Sequence, residues 1–327
     1  MIISKTPFRI SFFGGGTDYP DWYLENGGMV LSTTFDKYCY ITCRYLPPFF
    51  DHKYRIAYSQ VENAKEISDI KHPAVKAILN DLNFMSGLEL HVDADLPARS
   101  GLGSSSSFIV GLLNSLYALQ GKRLSRYLLA EEAIRYEQNV LSENVGSQDQ
   151  TAAAFGGFNL IQFGKNGKIS VEPVIFSKER KRQLNDHLML FFTGFSRIAS
   201  EIAADQISNI KKNRNELLRI LEMVPEAINI IQGNGDIRLF GELLNQAWET
   251  KRSLSDKLSN DEIDRIYALA LRAGAIGGKL LGAGGGGFMV LFVEPSKQET
   301  VRKALKDYIF VPFEFENNGS QIIYYEP

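Results

Sequence analysis

The segment from Leu96 to Ser107 reads Leu-Pro-Ala-Arg-Ser-Gly-Leu-Gly-Ser-Ser-Ser-Ser and decides how the rest of the chain is interpreted. It follows an alternating strand at 88–94 and runs through two glycines into an apolar helix predicted over 105–119. The first turn of a helix leaves backbone N–H groups without partners, and its dipole makes that end positive, so a phosphate can bind there. The segment therefore predicts a phosphate-binding loop. A Gly/Ser loop with serine N-caps is the alternative.

The strands and helices predicted in the rest of the chain indicate an α+β fold, because they do not alternate regularly. Apolar and β-branched residues predict strands and helices in a mixed order. Strands are expected near 8–13, 29–35, 38–43, 88–94, 157–163, 169–176, 188–192, 288–293, 310–315 and 321–325. Helices are expected near 73–82, 105–119, 125–141, 200–232, 236–252, 261–272 and 296–308.

The length of 327 residues predicts two lobes, at roughly 150 residues per domain. The charged stretch 177–186 is interpreted as the connection between them. We therefore predict an N-terminal lobe over 1–185 and a C-terminal lobe over 186–327.

Charge and composition exclude several classes of partner. Lys and Arg number 36 against 38 Asp and Glu, a net charge of −2, so no strong basic field exists to hold nucleic acid or an anionic membrane. No apolar run approaches the ~18 residues of a membrane span, and the first residues lack a signal-peptide pattern, so a cytoplasmic location is expected. Cys39 and Cys43 share a strand about 13 Å apart, too far to bridge, and are expected to be reduced packing residues.

A second glycine-rich segment, Gly282-Ala283-Gly284-Gly285-Gly286-Gly287, matches the G-x-G-x-x-G pattern only formally. It precedes a predicted strand, whereas the dinucleotide fingerprint follows a strand and opens a helix, so an oxidoreductase is disfavoured. Lys279 is followed by Leu280, so the Gly-Lys-Ser/Thr ending of a P-loop is absent. So many glycines predict a close backbone approach to a ligand or another loop, with a flexible turn as the alternative.

Two carboxylates stand out near the middle of the chain. Glu137 continues the apolar stripe Ala130, Ile134, Leu141 of a predicted helix, so it faces the core and needs a cation. Mg²⁺ held with phosphate oxygens would satisfy it, and a partly buried salt bridge with Arg135 or another Arg is the alternative. Asp149 lies in a polar connection, where it is either an N-cap or a base.

Three segments together resemble the motifs of the GHMP kinase superfamily, and they span nearly the whole chain. Pro7–Tyr19, Pro97–Ser106 and Lys279–Gly287 are similar to the first, second and third motifs of that family. The resemblance implies an ATP- and Mg²⁺-dependent kinase of two lobes. The N-terminal lobe would be like ribosomal protein S5 domain 2, the C-terminal lobe ferredoxin-like, and ATP and substrate would lie between them.

Site roles follow from the same resemblance, position by position. Asp149 matches the catalytic aspartate that takes the proton of the attacking hydroxyl, and Arg9 would stand beside it, hold it ionised and stabilise the transferred phosphoryl group. Ser105 and Glu137 are the implied Mg²⁺ ligands. The implied ATP-binding residues are Pro97, Ser100, Gly101, Leu102, Gly103, Ser104, Ser105 and Ser106. The implied substrate-binding residues are Gly15, Gly16, Thr17, Asp18, Gly284 and Gly285.

The first motif departs from that of galactokinases and points to a particular acceptor. Galactokinases have Gly-Glu-His-Thr-Asp-Tyr where this chain has Gly14-Gly15-Gly16-Thr17-Asp18-Tyr19, which leaves room for a different or larger sugar. With the serine-rich helix start and 148–157, this version resembles the bacterial D-glycero-D-manno-heptose 7-phosphate kinases. The resemblance implies phosphorylation of the anomeric O1 to a 1,7-bisphosphate for nucleotide-activated heptose and surface glycans.

Two other functions stay open at this point. One is a fucokinase-like kinase of L-fucose or another free sugar, and the other is a non-catalytic regulator of the same fold that binds sugar or nucleotide. A phosphorylated acceptor needs a second cationic pocket, for which Arg99, Lys37, Arg44 and Lys279 are candidates, with solvated surface charge as the alternative for each. The expected partners are ATP and a sugar phosphate, and a homodimer is left open.

Overall fold

Two β-sheets and the helices packed against them form the protein, whose computed structural model describes residues 1–98, 100–194 and 199–327. The strands in these residues are β1 (Ile2–Phe13), β2 (Gly28–Tyr45), β3 (Tyr54–Ala57), β4 (Val61–Ala64), β5 (Leu88–Ala94), β6 (Phe158–Phe163), β7 (Ile169–Pro173), β8 (Leu188–Gly194), β9 (Ala275–Leu280), β10 (Gly287–Val293), β11 (Ile309–Val311), β12 (Phe315–Glu316) and β13 (Gln321–Tyr325). The mixture of strands and helices confirms the predicted α+β class.

Eleven α-helices lie between the strands of the described residues. They are α1 (Pro20–Asn26), α2 (Pro73–Asp81), α3 (Ser104–Leu119), α4 (Arg126–Ile134), α5 (Gln148–Phe155), α6 (Lys178–Asp186), α7 (Ala199–Ser208), α8 (Arg214–Gln232), α9 (Arg238–Arg252), α10 (Asp261–Arg272) and α11 (Gln298–Ala304). Short 3₁₀ turns occur at Ile67–Asp69 and Pro295–Lys297, and a π-helix, Arg135–Val140, continues α4. None of these described helices is long and apolar enough to cross a bilayer.

The long strand β2 organises the first sheet, whose order is β13-β1-β2-β5-β3-β4 with β6 and β12 also paired to β2. The sequence predicts two strands here, at 29–35 and 38–43, but they are one strand of 18 residues. The register with β1 shifts between Pro7 and Phe8, so the ladder passes over Asp36 and Lys37 as a bulge. A proline has no N–H for the ladder, which is why it is tolerated at such a position.

The second sheet is antiparallel, with the order β11-β8-β10-β9. If β8 to β11 are numbered 1 to 4 in chain order, the sheet order is 4-1-3-2. Helices connect strand 1 to strand 2 and strand 3 to strand 4. This is the β-α-β-β-α-β arrangement of ferredoxin-like lobes. The predicted ferredoxin-like C-terminal lobe is therefore confirmed.

One expectation about the lobe boundary is wrong. The stretch 177–186, predicted to connect the lobes, contains helix α6, whose first turn is capped by the Ser177 hydroxyl accepting from Arg180 N. The end of the chain does not stay in the C-terminal lobe, because β13 pairs with β1 and β12 pairs with β2. The outer edge of β1 presents backbone groups that need partners, and β13 supplies them. Residues 315–325 thus belong to the first sheet.

The hydrophobic core is continuous between the two lobes. Phe12 and Phe13 at the end of β1 pack on Phe240 of α9, with ring centroids 5.5 and 5.2 Å apart. Aromatic pairs of this kind add to the stabilisation from buried area. Cys39 and Cys43 are buried and unbridged, as predicted. The junction between the lobes is therefore packed, and the predicted site residues lie along it.

Candidate active site

An ion pair between Arg9 and Asp149 lies at the centre of the predicted site. Arg9 Nε and Nη2 donate to Asp149 Oδ1 and Oδ2 at 2.7 and 2.8 Å, which is the bidentate geometry of a strong pair. Arg9 Nη1 donates to Gly101 O at 2.7 Å, so the same guanidinium also contacts the glycine loop. Asp149 is in the first turn of α5, after the N-cap residue Ser147, and it is not an N-cap itself. The arrangement leaves Asp149 partly exposed next to the phosphate-binding loop.

The predicted phosphate-binding loop leads directly into α3. Gly103 is the N-cap of α3 in a left-handed conformation, and Leu102, fully buried, anchors the loop by accepting from Arg9 N at 3.1 Å. Ser100 is also buried, and its hydroxyl donates to Pro97 O at 2.7 Å. The N-terminus of α3, with Ser104 and Ser105 at its first positions, is thereby held beside the Arg9–Asp149 pair. This geometry suits an anionic ligand.

The two glycine-rich loops pack backbone against backbone. A Cβ on Gly282 would lie 2.4 Å from Gly101 Cα, and a Cβ on Gly101 would lie 2.4 Å from Leu281 O. Phe288 N donates to Ser100 O at 3.2 Å across the same contact. The prediction of a close backbone approach by the Gly282–Gly287 segment is therefore confirmed, and the neighbour is the predicted phosphate-binding loop. Gly284 and Gly285, predicted to bind substrate, pack against Leu258.

Glu137 is fully buried where the predicted helix 125–141 changes from α4 into the π-helix. Its Oε2 accepts from Ser106 Oγ at 2.6 Å and from Gln150 Nε2 at 2.5 Å, and Ser105, at the exposed start of α3, also hydrogen-bonds to it. Burial raises the pKa of Glu137 to about 7. Its Oε1 is buried and has no hydrogen-bond partner within the described structure.

The neighbours of Arg135 exclude it as a salt-bridge partner of Glu137. Arg135 points away and pairs with Asp81 at 2.7 Å and Glu132 at 3.0 Å. A π-helix inserts one extra residue in a turn and is frequent at functional sites. Glu137 lies in this π-helix, and its carboxylate contacts Ser106 at the start of α3.

The first motif forms a tight turn beside Asp149. Asp18 is buried, its Oδ1 accepts from Gly16 N at 2.9 Å, and Gln148 N donates to Oδ2 at 3.4 Å. Burial raises the pKa of Asp18, and the Asp149 carboxylate adds to this. Thr17 is fully buried, and its hydroxyl donates to Gly14 O and Met29 O, so it shapes the turn from inside.

Two buried lysines join the site. Lys251, in the last turn of α9, is 8% exposed and donates to Gly282 O at 2.5 Å. Lys279 in β9 is 4% exposed and donates to Phe12 O at 2.8 Å. Burial lowers the pKa of Lys251 to about 8, and the Arg9 charge contributes; the pKa of Lys279 is also lowered by burial and by Lys251. With Arg9 they place three basic side chains near Asp18 and Asp149.

Two other basic residues considered as phosphate anchors, Lys37 and Arg44, lie elsewhere. Lys37 pairs with Asp36 and Arg44 pairs with Glu89, both at the surface, and Arg99 is outside the described residues. Lys251 was not predicted, because a lysine beside Arg252 at a helix end is typical of solvated charge that complements the helix dipole. The only sequence signal for it is its place on the inward face of α9, one turn from Ala247 and Trp248.

The fold and this site define a family of phosphotransferases. The chain matches the family models "GHMP kinases N terminal domain" over residues 69–157 and "GHMP kinases C terminal" over 223–309. The chain belongs to the GHMP kinases and is a phosphotransferase that acts on a hydroxyl group.

Within this family the chain is similar to sugar kinases. It is 32% identical to the D-glycero-alpha-D-manno-heptose 7-phosphate kinase of Campylobacter jejuni, with 93% of each chain covered. It superposes with a TM-score of 0.75 and 26% identity on the crystal structure of a D-glycero-D-manno-heptose 1-phosphate kinase from Bacteroides thetaiotaomicron, covering all of both chains. It is 24% identical to the bifunctional fucokinase/GDP-fucose pyrophosphorylase of Arabidopsis thaliana, over 93% of this chain and 31% of that one. The predicted resemblance to heptose phosphate kinases is thus confirmed.

Proposed function

We propose that this chain transfers the γ-phosphoryl group of ATP to the anomeric O1 of D-glycero-D-manno-heptose 7-phosphate, giving the 1,7-bisphosphate. The bidentate Arg9–Asp149 pair beside the N-terminus of α3 is the observation that carries this proposal. It places a carboxylate that can accept a proton next to a loop suited to phosphate. A non-catalytic regulator would have no use for that pair, and the similarity to heptose phosphate kinases supports the acceptor.

The chemistry needs few groups. Asp149 accepts the proton of O1 while O1 forms its bond to the γ-phosphorus and the bond from that phosphorus to the leaving ADP oxygen breaks. Arg9 and Lys251 donate to the phosphoryl oxygens as their charge is redistributed. Burial lowers the pKa values of Lys251 and Lys279, and an anionic phosphate bound beside them would stabilise their charged forms. The reaction uses ATP and a sugar phosphate, which are both retained inside cells, and this supports a cytoplasmic location.

The residues around Glu137 fit a Mg²⁺ ion. A fully buried carboxylate oxygen without a hydrogen-bond partner, next to serine hydroxyls at the start of α3, is a hard oxygen donor set of the kind Mg²⁺ prefers. Glu137 and Ser105 would hold the ion, with Ser106 next to them. Bound there, Mg²⁺ would neutralise phosphate charge.

A direct assay tests the proposed acceptor. ATP consumption with Mg²⁺ is measured for D-glycero-D-manno-heptose 7-phosphate, its unphosphorylated heptose, L-fucose, D-mannose and D-galactose, and phosphorus NMR locates the new phosphate. Selective turnover of the heptose 7-phosphate with a new phosphate on C1 is expected. Turnover of L-fucose or another free sugar would replace the proposal by a free-sugar kinase. Sugar binding without turnover would indicate a regulator.

The buried Glu137 predicts a pH dependence of stability in the metal-free protein. Its pKa of about 7 in the folded chain exceeds the ordinary 4.5, so between these values the folded chain keeps a proton that the unfolded chain has lost. The free energy of unfolding therefore falls as pH rises through this window, by about 3 kcal/mol. Glu137→Gln removes the carboxylate. In urea unfolding with EDTA, the free energy of unfolding of Glu137→Gln should exceed that of the wild type by about 3 kcal/mol at pH 8 and by little at pH 4.5.

Glu131→Gln is the matched control, since Glu131 is exposed on the preceding helix α4. It should keep the wild-type pH profile. Adding MgATP should stabilise the wild type and the control but not Glu137→Gln. Equal pH profiles for wild type and Glu137→Gln would contradict the burial argument.

Lys251 predicts an alkaline limit on activity. Because its pKa is about 8 in the free protein, its charge is lost as pH rises through that value, and kcat/KM for ATP should fall above it. Lys251→Met keeps a side chain of similar length but removes its charge. We expect kcat to fall about 10²-fold, as on loss of one donor to a developing charge, and the alkaline limb to disappear.

Lys211→Met serves as the control, because Lys211 is an exposed lysine far from the glycine loops in sequence. Its steady-state kinetics between pH 6 and 10 should equal those of the wild type. An unchanged kcat in Lys251→Met would show that Lys251 does not act in the phosphoryl-transfer step.

A further inference from the structure

Part of the first sheet has one face that borders solvent. Alternate side chains of a strand point to opposite faces of its sheet. On β2, Ile41 and Cys43 are fully buried in the core next to α3. Tyr40, Thr42 and Arg44 therefore lie on the other face, where the first two are partly buried and Arg44 is exposed. The surface that β13, β1, β2, β5 and β3 form on this side is the open face.

The middle of the open face is apolar and aromatic. Strand pairing places Ile3 beside Thr42 and Lys5 beside Tyr40, and it places Tyr324 of β13 beside Ile3. Ile3 and Tyr40 are only partly buried, and Tyr324 is 38% exposed. Tyrosine is enriched in protein interfaces, because its ring offers a large contact area and its hydroxyl offers a hydrogen bond. The middle of this face therefore has the character of a surface that another protein covers.

Charges of opposite sign lie at the two ends of the open face. At one end, Arg44 and Arg55 share Glu89, with N–O distances of 2.6 and 3.8 Å, and both arginines are nearly half exposed. One carboxylate cannot balance two guanidinium groups, so this end is positive. Asp93 and Asp95 lie toward the other end, where both are exposed and neither forms an ion pair with another described residue.

Lys5 does not reverse the negative sign of that second end. Its Nζ lies 3.7 Å from the centre of the Tyr38 ring, and its charge interacts with Glu316. The Glu316 carboxylate accepts from the Tyr38 hydroxyl at 2.6 Å, which keeps it at the same end of the face. Lys5 and Glu316 therefore balance each other, and the charges of the two aspartates remain.

We infer that the open face is the interface between two copies of this chain, related by a two-fold axis that lies in the interface perpendicular to β2. This axis places the positive end of each copy over the negative end of the other and brings the two aromatic centres together. A two-fold interface must be complementary to itself, and this separation of charge meets that requirement. Facing sheets pack about 10 Å apart, a gap that arginine and tyrosine side chains from both copies fill. The inference goes beyond the proposed kinase activity and does not depend on it.

The size and the charge of the open face favour a second copy over other partners. Five strands about 4.8 Å apart, with seven residues that each rise about 3.3 Å, give roughly 550 Å² per copy. Two copies together bury about 1,100 Å², which reaches the lower limit of a specific interface, about 1,000 Å². Nucleic acid or an anionic membrane requires a uniformly positive surface, and the negative end of this face would repel both.

Sedimentation equilibrium of the full chain tests the inference directly. The wild type should sediment at twice the chain mass of 36.7 kDa at concentrations of tens of micromolar. A wild type that remains at 36.7 kDa at about 100 μM would overturn the inference.

Two charge reversals locate the interface. Arg55→Glu makes both ends of the open face negative, and Asp93→Lys adds positive charge at the negative end. Each variant therefore creates two like-charge contacts in its own dimer, and its dissociation constant should rise at least tenfold. In an equimolar mixture, the introduced glutamate of one copy faces the introduced lysine of the other, while the native Arg55 and Asp93 face each other. The mixture should therefore dimerise about as tightly as the wild type.

Two reversals elsewhere on the same sheet are the matched controls. Lys168 and Glu172 are exposed in the β6–β7 hairpin, outside the open face. Lys168→Glu and Glu172→Lys should keep the wild-type dissociation constant. A dimer that Arg55→Glu and Asp93→Lys do not weaken would place the interface on another surface. Failure of these two variants to dimerise when mixed would overturn the two-fold arrangement.

Tyr40→Ala tests the centre of the interface without changing any charge. It removes the aromatic ring that the two-fold axis stacks near its own copy, so its dissociation constant should also rise at least tenfold. Circular dichroism and the melting temperature show whether each variant is folded. A folded Tyr40→Ala that dimerises as tightly as the wild type would overturn the inference.

Discussion

Asp149→Asn should lower kcat about 10³-fold while the protein still folds and binds ATP. Asparagine has the shape of aspartate but cannot accept the proton of the attacking hydroxyl, and loss of a general base usually costs 10²–10⁴-fold. Arg9 now donates to both Asp149 oxygens, at 2.7 and 2.8 Å. In the variant an NH₂ group replaces one of these oxygens and cannot accept the hydrogen bond. A stability loss of about 1–2 kcal/mol is therefore expected alongside the kinetic one. Steady-state kinetics, urea unfolding and ATP calorimetry measure the three quantities.

Asp81→Asn is the matched control. Asp81 forms a similar close pair with Arg135 at 2.7 Å, but on the surface and away from the glycine loops. It should keep the wild-type kcat, with a stability change of at most about 1 kcal/mol. A kcat for Asp149→Asn within tenfold of the wild type would rule out Asp149 as the base.

Gly282→Ala should destabilise the protein by about 3 kcal/mol or more and raise the KM for ATP more than tenfold. The residue has φ of +76°, and its Cβ would lie 2.4 Å from Gly101 Cα and 2.9 Å from Gly101 O. Both neighbours are backbone atoms, so relief requires the two loops to separate. Separation would move the start of α3, and Arg9 Nη1 would lose its bond to Gly101 O.

Gly121→Ala isolates the part of this effect that comes from backbone conformation. Gly121 has nearly the same φ, +72°, but a Cβ there would meet nothing within 4 Å. The stability of its alanine variant should fall only by the ~1–2 kcal/mol that a non-glycine residue costs in the left-handed conformation, and the KM for ATP should stay unchanged. Equal losses of stability in the two variants would show that the loops tolerate separation.

The local parts of the site could be predicted from the sequence. The predicted phosphate-binding loop is contiguous in sequence, and its glycines and serines ahead of an apolar helix favour anion binding. Glu137 could be found because it interrupts the apolar positions of its helix. The spacing of these apolar positions also predicts an unbroken helix, whereas the structure has a π-helix after Ile134, in which Glu137 contacts Ser106 and Gln150.

Features made by distant segments could not be predicted in this way. Lys251 looks like a surface residue at a helix end until Gly282 O is seen beside it. Tyr40 and Asp93 are ordinary strand residues in sequence, and only the pairing of β2 with β5 places them side by side on the open face. The division of the chain at residue 185 failed at the last strands, because the sequence of a short strand does not reveal its pairing partner.

The pairing of Ile2 with Tyr325 also affects how the protein is made. On the ribosome, β1 emerges early, but its outer neighbour β13 is synthesised only after α7 to α11 and the second sheet. Until then the strand that carries Arg9 has an open edge, which is a site for wrong pairing with other chains. Contacts so distant in sequence also slow folding. The nascent kinase therefore depends on late closure of this sheet, and its yield should be sensitive to chaperones that shield exposed strands during translation.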